Sequence, residues 1–112
     1  MTHDYLPETL TRADADALAG VTVLDFGTGW CGHCQMAMPL VDAAVRACNG
    51  AIRHVRIEDG RGRPLGRSYR VKLWPTLVVL RDGEEVARVV RPQERGEVEQ
   101  ALAAGAPAPG EA

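Results

Sequence analysis

The sequence predicts an α/β protein with a mixed sheet, and three features of its 112 residues carry that prediction. Residues 21–57 contain a short apolar run, a long amphipathic stretch and a second short apolar run. Two strands joined by a crossover helix in this way are parallel. A hairpin signal and a closing helical pattern follow. We therefore expect a central mixed sheet of four to five strands, made of a βαβ unit and a C-terminal hairpin, with helices on both faces.

The N-terminal part contains one helix and one strand. The pattern over residues 8–19 predicts a helix that ends at Gly20, a favourable C-cap residue. Residues 21–27 are mostly apolar, as in a strand buried on both faces, so this strand should be central. No clear strand precedes residue 8, which leaves the sheet with four strands if none exists there.

The middle of the chain completes the βαβ unit. Residues 31–48 have apolar side chains at i+3 and i+4 spacing and predict a helix, in which Pro39 should cause a kink. Residues 51–57 predict the second strand. The polar, Gly- and Arg-rich residues 58–64 predict a loop, and residues 65–70 a short helical turn.

The C-terminal part predicts a hairpin and a helix. Residues 76–80 and 85–90 flank a turn that contains Asp82-Gly83, a strong hairpin signal. Residues 94–104 predict the closing helix.

Length and charge limit the number of domains and the kinds of partner. With 112 residues and 46% hydrophobic content, the chain can build one hydrophobic core. We expect one domain over residues 1–105 and a disordered tail over residues 106–112, which are rich in Pro, Ala and Gly. The net charge of -2 gives no electrostatic basis for binding nucleic acid or an anionic membrane. No secretory signal or membrane span is evident, so we expect a soluble cytoplasmic protein.

Cys31 and Cys34 are separated by two residues at the start of the predicted second helix. Cysteines at this spacing can close a small disulfide ring with little backbone movement, which makes a redox switch. The Cys31 sulfur should lie among unpaired N–H groups at the positive end of the helix dipole, where the thiolate is favoured. Because the thiolate is the nucleophile in disulfide exchange, reactivity is expected on Cys31.

This arrangement resembles the thioredoxin family. The match covers roughly residues 20–104, and its motifs occur in the family's order and spacing: Asp25-Phe26, Trp30-Cys31-Gly32-His33-Cys34, Pro39, Trp74-Pro75-Thr76-Leu77 and Asp82-Gly83. The resemblance implies the thioredoxin fold and a monomeric thiol-disulfide oxidoreductase that reduces protein disulfides. It implies no metal and no cofactor besides the redox-active cysteine pair. The implied partners are disulfide-containing proteins and an external reductant, such as a thioredoxin reductase or the glutathione system.

The resemblance also assigns roles to single residues. Cys31 corresponds to the exposed attacking thiol, and Cys34 to the buried resolving thiol, which breaks the mixed disulfide. Asp25 corresponds to a buried carboxylate that exchanges a proton with Cys34. The alternative, in which Asp25 is only a polar residue on a strand, is disfavoured because burying a carboxylate in an apolar strand is costly.

The expected substrate groove includes a cis-proline and a tryptophan. Pro75 corresponds to the family's cis-proline, and the resemblance implies that the backbone of Trp74 is free to pair with an extended substrate. An ordinary trans proline at the start of a strand is the alternative. Trp30 corresponds to a residue that serves as both core-edge aromatic and substrate platform.

His33 departs from the pattern of the usual cytoplasmic reductase, which has proline there. Gly32-His33 is the dipeptide of protein disulfide isomerases and some bacterial thioredoxin-like proteins. An imidazole beside Cys31 can stabilise the thiolate and make the disulfide more oxidising, whereas a histidine that faces solvent has little effect. An isomerase or oxidant-like activity is therefore the alternative function.

A third hypothesis is a zinc-binding or interaction module. Structural zinc needs four ligands, whereas the chain has one CxxC pair, and Cys48 lies about four helical turns away from it. The ligand count therefore disfavours a structural zinc site. We expect Cys48 to be a buried small hydrophobe rather than a regulatory thiol.

Other positions also depart from the family. Gly27 replaces an aromatic residue, which should thin one wall of the site. His54 corresponds to a lysine that pairs with the buried carboxylate, and Arg56 is the alternative partner. Trp74 replaces a small residue, and Arg91-Pro92 stands where the groove has a Gly-Ala-like pair. Trp74 and Arg91 should narrow the substrate range and favour acidic or apolar flanks.

Overall fold

The structure, a computed structural model, describes residues 4–7 and 9–105, so the tail predicted over residues 106–112 lies outside the described residues. The helices and strands, in chain order, are α1 (Arg12–Asp16), β1 (Val21–Gly27), α2 (Gly32–Arg46), β2 (Ile52–Glu58), α3 (Pro64–Ser68), β3 (Thr76–Arg81), β4 (Glu84–Val90) and α4 (Arg95–Gly105). Among the described residues, no helix is long and apolar enough to cross a membrane.

The sheet is mixed, as predicted, and has the strand order β2-β1-β3-β4. β1 is parallel to β2 and antiparallel to β3, and β3 is antiparallel to β4. Asp25 on β1 lies opposite Arg56 on β2 and Leu77 on β3. The central strand therefore carries a buried carboxylate with a basic residue beside it.

Within the described residues, the uncertain first strand is represented by an isolated parallel bridge between Leu6 and Ile57. The Leu6 N–H donates to the Arg56 carbonyl at 3.4 Å, and the Glu58 N–H donates to the Leu6 carbonyl at 2.7 Å. The next residue, Pro7, has no N–H with which to extend the ladder. The N-terminal segment is thus attached to the edge of β2 without forming a full strand.

Helices cover both faces of the sheet, which confirms the predicted architecture. Side chains of β1 and β3 alternate between two buried clusters, as a period of two requires. One cluster joins the sheet to α1 and to the region of α3 and contains Ala15, Leu24, Phe26, Ile57, Leu65, Tyr69, Val78 and Leu80. The other joins it to α2 and α4 and contains Val23, Val41, Ala44, Leu77, Val79, Val98, Ala101 and Leu102.

The first helix is much shorter than predicted. Thr11 and Asp14 form a capping box, in which the Thr11 hydroxyl accepts from the Asp14 N–H at 3.1 Å and the Asp14 carboxylate accepts from the Thr11 N–H at 3.0 Å. This reciprocal cap makes Arg12 the first helical residue. The prediction over residues 8–19 was wrong because it followed apolar spacing and overlooked the cap.

The predicted hairpin turn is confirmed. Asp82 and Gly83 have φ values of 51° and 84°, as in a turn with two left-handed residues. The turn is attached to the start of β1, because the Gly20 N–H donates to the Asp82 carboxylate and the Asp82 N–H donates to the Gly20 carbonyl, each at 2.8 Å.

Replacing Gly83 by Ala should lower the free energy of unfolding more than replacing Gly50. Both glycines have left-handed φ values, 84° and 81°, which cost alanine roughly 1 kcal/mol at either site. A Cβ at Gly83 would also overlap the carbonyl oxygen of Asp16, whereas Gly50 has no atom within 4 Å of that position. We expect an additional loss of at least about 1 kcal/mol for Gly83→Ala in denaturant unfolding. Equal losses would contradict the close approach of the hairpin to α1.

Candidate active site

The two cysteines lie where β1 leads into α2. Cys31 has extended backbone angles and is the N-cap of the helix, and its sulfur accepts the N–H of Cys34 at 3.2 Å. A side chain at the N-cap satisfies one of the free N–H groups of the first turn, a task more often performed by Ser, Thr or Asp. The Cys31 sulfur is thus held at the positive end of the helix, as predicted. Both cysteines are free thiols.

Cys31 and Cys34 differ in their exposure to solvent. Cys31 is 8% exposed, less than expected for an attacking thiol, whereas Cys34 is completely buried. Burial, together with the hydrogen bond to Cys31, raises the pKa of Cys34 to about 12. Cys34 is therefore a neutral thiol near pH 7 and must lose a proton before it can act as a nucleophile.

Asp25 lies buried in β1 and is surrounded by hydrogen-bond partners. Its Oδ1 accepts from the Tyr5 hydroxyl at 3.1 Å. Its Oδ2 accepts from the Arg56 Nε at 3.0 Å and lies 3.2 Å from the His54 Nε2. Both predicted partners therefore contact Asp25, and one of them is a permanent cation.

Arg56 extends this network to α2. Its Nη2 donates to the Asp42 carboxylate at 3.2 Å, and its side chain is fully buried. Burial acts to lower the pKa of Arg56, but the charges of Asp25 and Asp42 outweigh burial, so the pKa is raised. The guanidinium stays charged in the core between two carboxylates.

Gly27 was expected to leave one wall of the site thin, but the Tyr5 ring occupies that space. The prediction of a thin wall was therefore wrong. A Cβ at Gly27 would lie 2.7 Å from Cε1 and Cζ of Tyr5 and 2.6 Å from the Cys34 sulfur. The Tyr5 side chain is buried against Cys31 and Cys34. Tyr5 could not be predicted as a site residue, because the sequence around it gives no local signal of this contact. The missing aromatic side chain at Gly27 was the one indication that another ring occupies the space.

The peptide bond between Trp74 and Pro75 is cis, as predicted. The Trp74 carbonyl lies 4.0 Å from the Cys31 sulfur, but it is not free, because it accepts from the Arg91 Nε at 2.9 Å. The Arg91 N–H donates to the Pro75 carbonyl at 2.9 Å. Arg91, which was expected to favour acidic flanks of the substrate, is therefore attached through its side chain to the Trp74 backbone.

Trp30 and Trp74 form an aromatic pair at the edge of the site. Their ring centroids are 5.7 Å apart with an interplanar angle of 80°. Trp30 is 77% exposed and so is not a core-edge residue, whereas Trp74 donates its Nε1 proton to the Asp59 carboxylate at 2.8 Å. Asp59 was not anticipated from the sequence, since it lies in the loop predicted over residues 58–64.

His33 and Gly32 lie on the solvent side of the first turn of α2. His33 is exposed, and no residue in the described part of the chain hydrogen-bonds its ring. It borders a 540 Å³ depression together with Met36, Leu40 and Pro92. The contact with Cys31 that would let His33 tune the thiolate is not seen.

Cys48 lies half-buried just beyond the end of α2. Its thiol lies 3.5 Å from the Ala44 carbonyl, and its side chain packs against the cluster between the sheet and helices α2 and α4. This packing agrees with a small hydrophobic role. Over residues 4–7 and 9–105 there is no group of three or more His, Cys, Asp or Glu side chains that could hold a metal ion.

Comparisons with known proteins agree on one family. The family model described as Thioredoxin matches residues 11–104. A thioredoxin of Staphylococcus aureus is 31% identical over 83 residues, which cover 72% of this chain and 80% of that protein. A thioredoxin of Porphyra purpurea is 30% identical over 80 residues, with coverage of 71% and 75%. The structure of reduced thioredoxin 2 from Pseudomonas aeruginosa has a TM-score of 0.80 and 51% identity, with coverage of 90% and 93%.

Replacing Asp25 by Ala should destabilise the protein at pH 7. The substitution leaves the buried Arg56 guanidinium with Asp42 as its acidic partner, and breaking a buried ion pair from one side costs about 3 kcal/mol. Denaturant unfolding measures this loss. Asp16→Ala is the control, because it removes an exposed pair with Arg12 and should cost no more than about 0.5 kcal/mol. An Asp25→Ala variant as stable as wild type would contradict the network described above.

Proposed function

Because this chain belongs to the thioredoxin family, it is a thiol-disulfide oxidoreductase that acts as a protein-disulfide reductase, and we propose that Cys31 attacks the substrate and Cys34 resolves the mixed disulfide. One observation carries this order of action: Cys31 is the cysteine with solvent exposure, and its sulfur lies at the helix N-terminus. Cys34 has neither exposure nor a low pKa. An incoming disulfide can therefore reach Cys31 first.

The two exchange steps transfer two electrons to the substrate. In the first step the Cys31 thiolate attacks one sulfur of the substrate disulfide, forms a mixed disulfide and releases the other sulfur as a thiolate. In the second step Cys34 loses its proton and its sulfur attacks the Cys31 sulfur. The Cys31–Cys34 disulfide forms, and the second substrate thiolate leaves.

Asp25 is the proton acceptor for Cys34 in this proposal. Its carboxylate is buried under the cysteine pair, and its Oδ1 faces Tyr5, whose ring lies beside the Cys34 sulfur. The Oδ2 atom is bound by Arg56 and faces His54. Oδ1 is thus the oxygen bound by Tyr5, the residue that packs against the cysteines, and we assign to it the proton released in the second step.

An extended substrate segment passes over Pro75 and the Trp30–Trp74 pair. The exposed Trp30 ring offers apolar area at low entropic cost. The Trp74 carbonyl, which a substrate strand would use, is occupied by Arg91, so pairing through that group requires the Arg91 side chain to move. Side-chain contacts then contribute more to selection than backbone pairing does.

The thioredoxin family acts on disulfide substrates and is reduced by a thioredoxin reductase. In our proposal this chain accepts electrons from such a reductase, with a glutathione system as the alternative donor. It acts as a monomer in the cytoplasm, where a reducing environment favours catalytic rather than structural cysteine pairs.

Reduction is favoured over an isomerase or oxidant-like activity by the position of His33. The alternative depends on an imidazole that stabilises the Cys31 thiolate. The His33 ring is exposed and has no hydrogen-bond partner in the part of the chain that the structure describes. The observed contacts therefore give that activity no support.

Single serine substitutions test the order of action. Cys31→Ser should abolish reduction of a disulfide-bonded protein, because the attacking sulfur is missing. Cys34→Ser should retain attack and accumulate a mixed disulfide that dithiothreitol releases, because resolution is lost. Non-reducing electrophoresis and mass spectrometry identify the trapped species, and Cys48→Ser is the control that should keep full activity. Trapping through Cys34 in the Cys31→Ser variant would reverse the assignment.

A further inference from the structure

A cavity of 730 Å³ beside the active site concentrates positive charge. Five basic side chains line it, namely Arg61, Arg63, Arg67, Arg70 and Lys72, and its one acidic lining residue is Asp59. Five positive charges less one negative charge give a local formal charge of +4, whereas the whole chain has a net charge of -2. The formal charge of the cavity therefore has the opposite sign to the net charge of the whole chain.

Most of this charge is not neutralised by acidic residues in the part of the chain that the structure describes. Arg63 pairs with Glu58, and Asp59 accepts the hydrogen bond from Trp74. The other four basic residues of the cavity are exposed, and none of them has an ion pair with an acidic residue in the described ranges: Arg61, Arg67, Arg70 and Lys72. Grouped cations without acidic partners attract anionic groups from solution.

Trp74 connects the cavity to the reacting sulfur. It lines the cavity, and its carbonyl lies 4.0 Å from the Cys31 sulfur. An extended peptide advances about 3.3 Å per residue, so a segment bound at Cys31 reaches the cavity within a few residues. The depression bordered by His33 and Pro92 contains, besides the histidine, the basic residue Arg91. The Arg91 guanidinium is already bound to the Trp74 carbonyl. Unpaired positive charge is thus found on one side of Trp74.

We propose that this cavity binds acidic side chains of a protein substrate, so that preferred substrates have Asp or Glu residues on one side of the cysteine that Cys31 attacks. The proposal rests on the proposed function and adds the substrate class. A protein is favoured over a nucleic acid because the cavity adjoins the cysteine pair and the chain as a whole is negatively charged.

Two disulfide-bonded peptides test this proposal. They differ only in having Glu or Gln at the residues that flank the cysteine, and kcat/KM is measured for both with the full chain. We expect about a fivefold preference for the Glu peptide at low ionic strength, decreasing as salt is added. Arg61→Gln/Arg67→Gln should remove the preference while the Gln peptide is reduced as before. The control variant Arg46→Gln/Arg95→Gln makes the same charge change outside the cavity and should retain the preference for the Glu peptide.

The outcomes separate this inference from the proposed function. Equal kcat/KM for both peptides with the wild type would overturn the inference and leave the reductase assignment intact. Failure to reduce either peptide would instead overturn the proposed function. A single-stranded oligonucleotide that binds the wild type but not Arg61→Gln/Arg67→Gln would overturn the choice of a protein partner.

A second, independent observation concerns Tyr5, which contacts both Asp25 and Cys34. Its O–H donates to the Asp25 Oδ1 at 3.1 Å, and the Tyr5 side chain packs against Cys34. Within the described residues, no hydrogen bond joins Asp25 directly to Cys34. Tyr5 is therefore the group that connects the buried carboxylate to the buried thiol.

A phenol has one proton to donate and an oxygen that accepts. When the Tyr5 O–H donates to Asp25, its oxygen keeps lone pairs that can accept the S–H of the adjacent Cys34, so one further hydrogen bond completes a chain from thiol to carboxylate. The Arg56 guanidinium lies 5.4 Å from the centre of the Tyr5 ring, but Arg56 and His54 contact the other carboxylate oxygen. Burial, with the nearby Asp25 and Cys34, raises the pKa of Tyr5, so the hydroxyl keeps its proton near neutral pH.

We infer that Tyr5 relays the proton of Cys34 to Asp25 in the second exchange step. The Cys34 S–H bond breaks as its proton moves to the Tyr5 oxygen, and the former Tyr5 proton moves to the Asp25 Oδ1. Tyr5 ends neutral, Asp25 ends protonated, and the Cys34 thiolate attacks the Cys31 sulfur of the mixed disulfide. This relay depends on the order of attack proposed above.

Tyr5→Phe and Tyr69→Phe make a matched pair of test variants. Each removes a buried hydroxyl and keeps the ring, but the Tyr69 hydroxyl has no hydrogen-bond partner among residues 4–7 and 9–105. Rapid-quench measurements resolve formation and decay of the mixed disulfide as a function of pH. Tyr5→Phe should slow the decay of the mixed disulfide at least about tenfold near pH 7. The decay rate of this variant should rise steeply with pH, because solvent must then take the proton. Formation should be unchanged, and Tyr69→Phe should alter neither step.

Unchanged decay and an unchanged pH profile in a folded Tyr5→Phe variant would overturn the relay. A proton inventory of the decay step in mixtures of light and heavy water provides a second measurement on the wild type. Two protons in motion support the relay, and a single proton in motion would overturn it even if Tyr5→Phe does not fold. If no mixed disulfide forms at all, the proposed function fails before this step is reached.

Discussion

The site depends on one buried ion pair, between Asp25 and Arg56. The parallel register of β1 and β2 places the two residues opposite each other, and both side chains are almost completely buried. Two buried charges are tolerated only when their remaining hydrogen-bonding capacity is satisfied. Here Asp42 also binds the guanidinium, and Tyr5 and His54 also contact the carboxylate. The ion pair thereby joins the sheet, α2 and the N-terminal segment directly beneath the cysteines.

The same network explains why the N-terminal segment belongs to the site. The Leu6 bridge fixes the segment to the edge of β2, and the absent side chain at Gly27 leaves room for the Tyr5 ring beside Cys34. The family's usual aromatic wall is supplied here from a different part of the chain. One backbone position without a Cβ thus determines which ring contacts Cys34 and which hydroxyl reaches Asp25.

Local patterns in the sequence predicted most of the fold, but they could not predict contacts between distant residues. β1, the hairpin turn and the position of Cys31 at the start of α2 depend on neighbouring residues, and these were predicted correctly. Tyr5 is 20 residues from Asp25, and Arg91 is 17 residues from Trp74, so neither contact has a local signal. The error at α1 was of another kind, because the Thr11 and Asp14 pair was visible in the sequence and was overlooked.

The aromatic pair beside Cys31 has a spectroscopic consequence. The chain contains two tryptophans, and both of them, Trp30 and Trp74, lie at the active site. Indole emission from this protein therefore comes entirely from the region where the sulfur chemistry takes place. The Trp74 indole is bound to Asp59, and the Trp30 ring is largely in water, so the two chromophores have different surroundings. The enzyme thus contains its own optical reporter of thiol oxidation and substrate occupancy, without an added label.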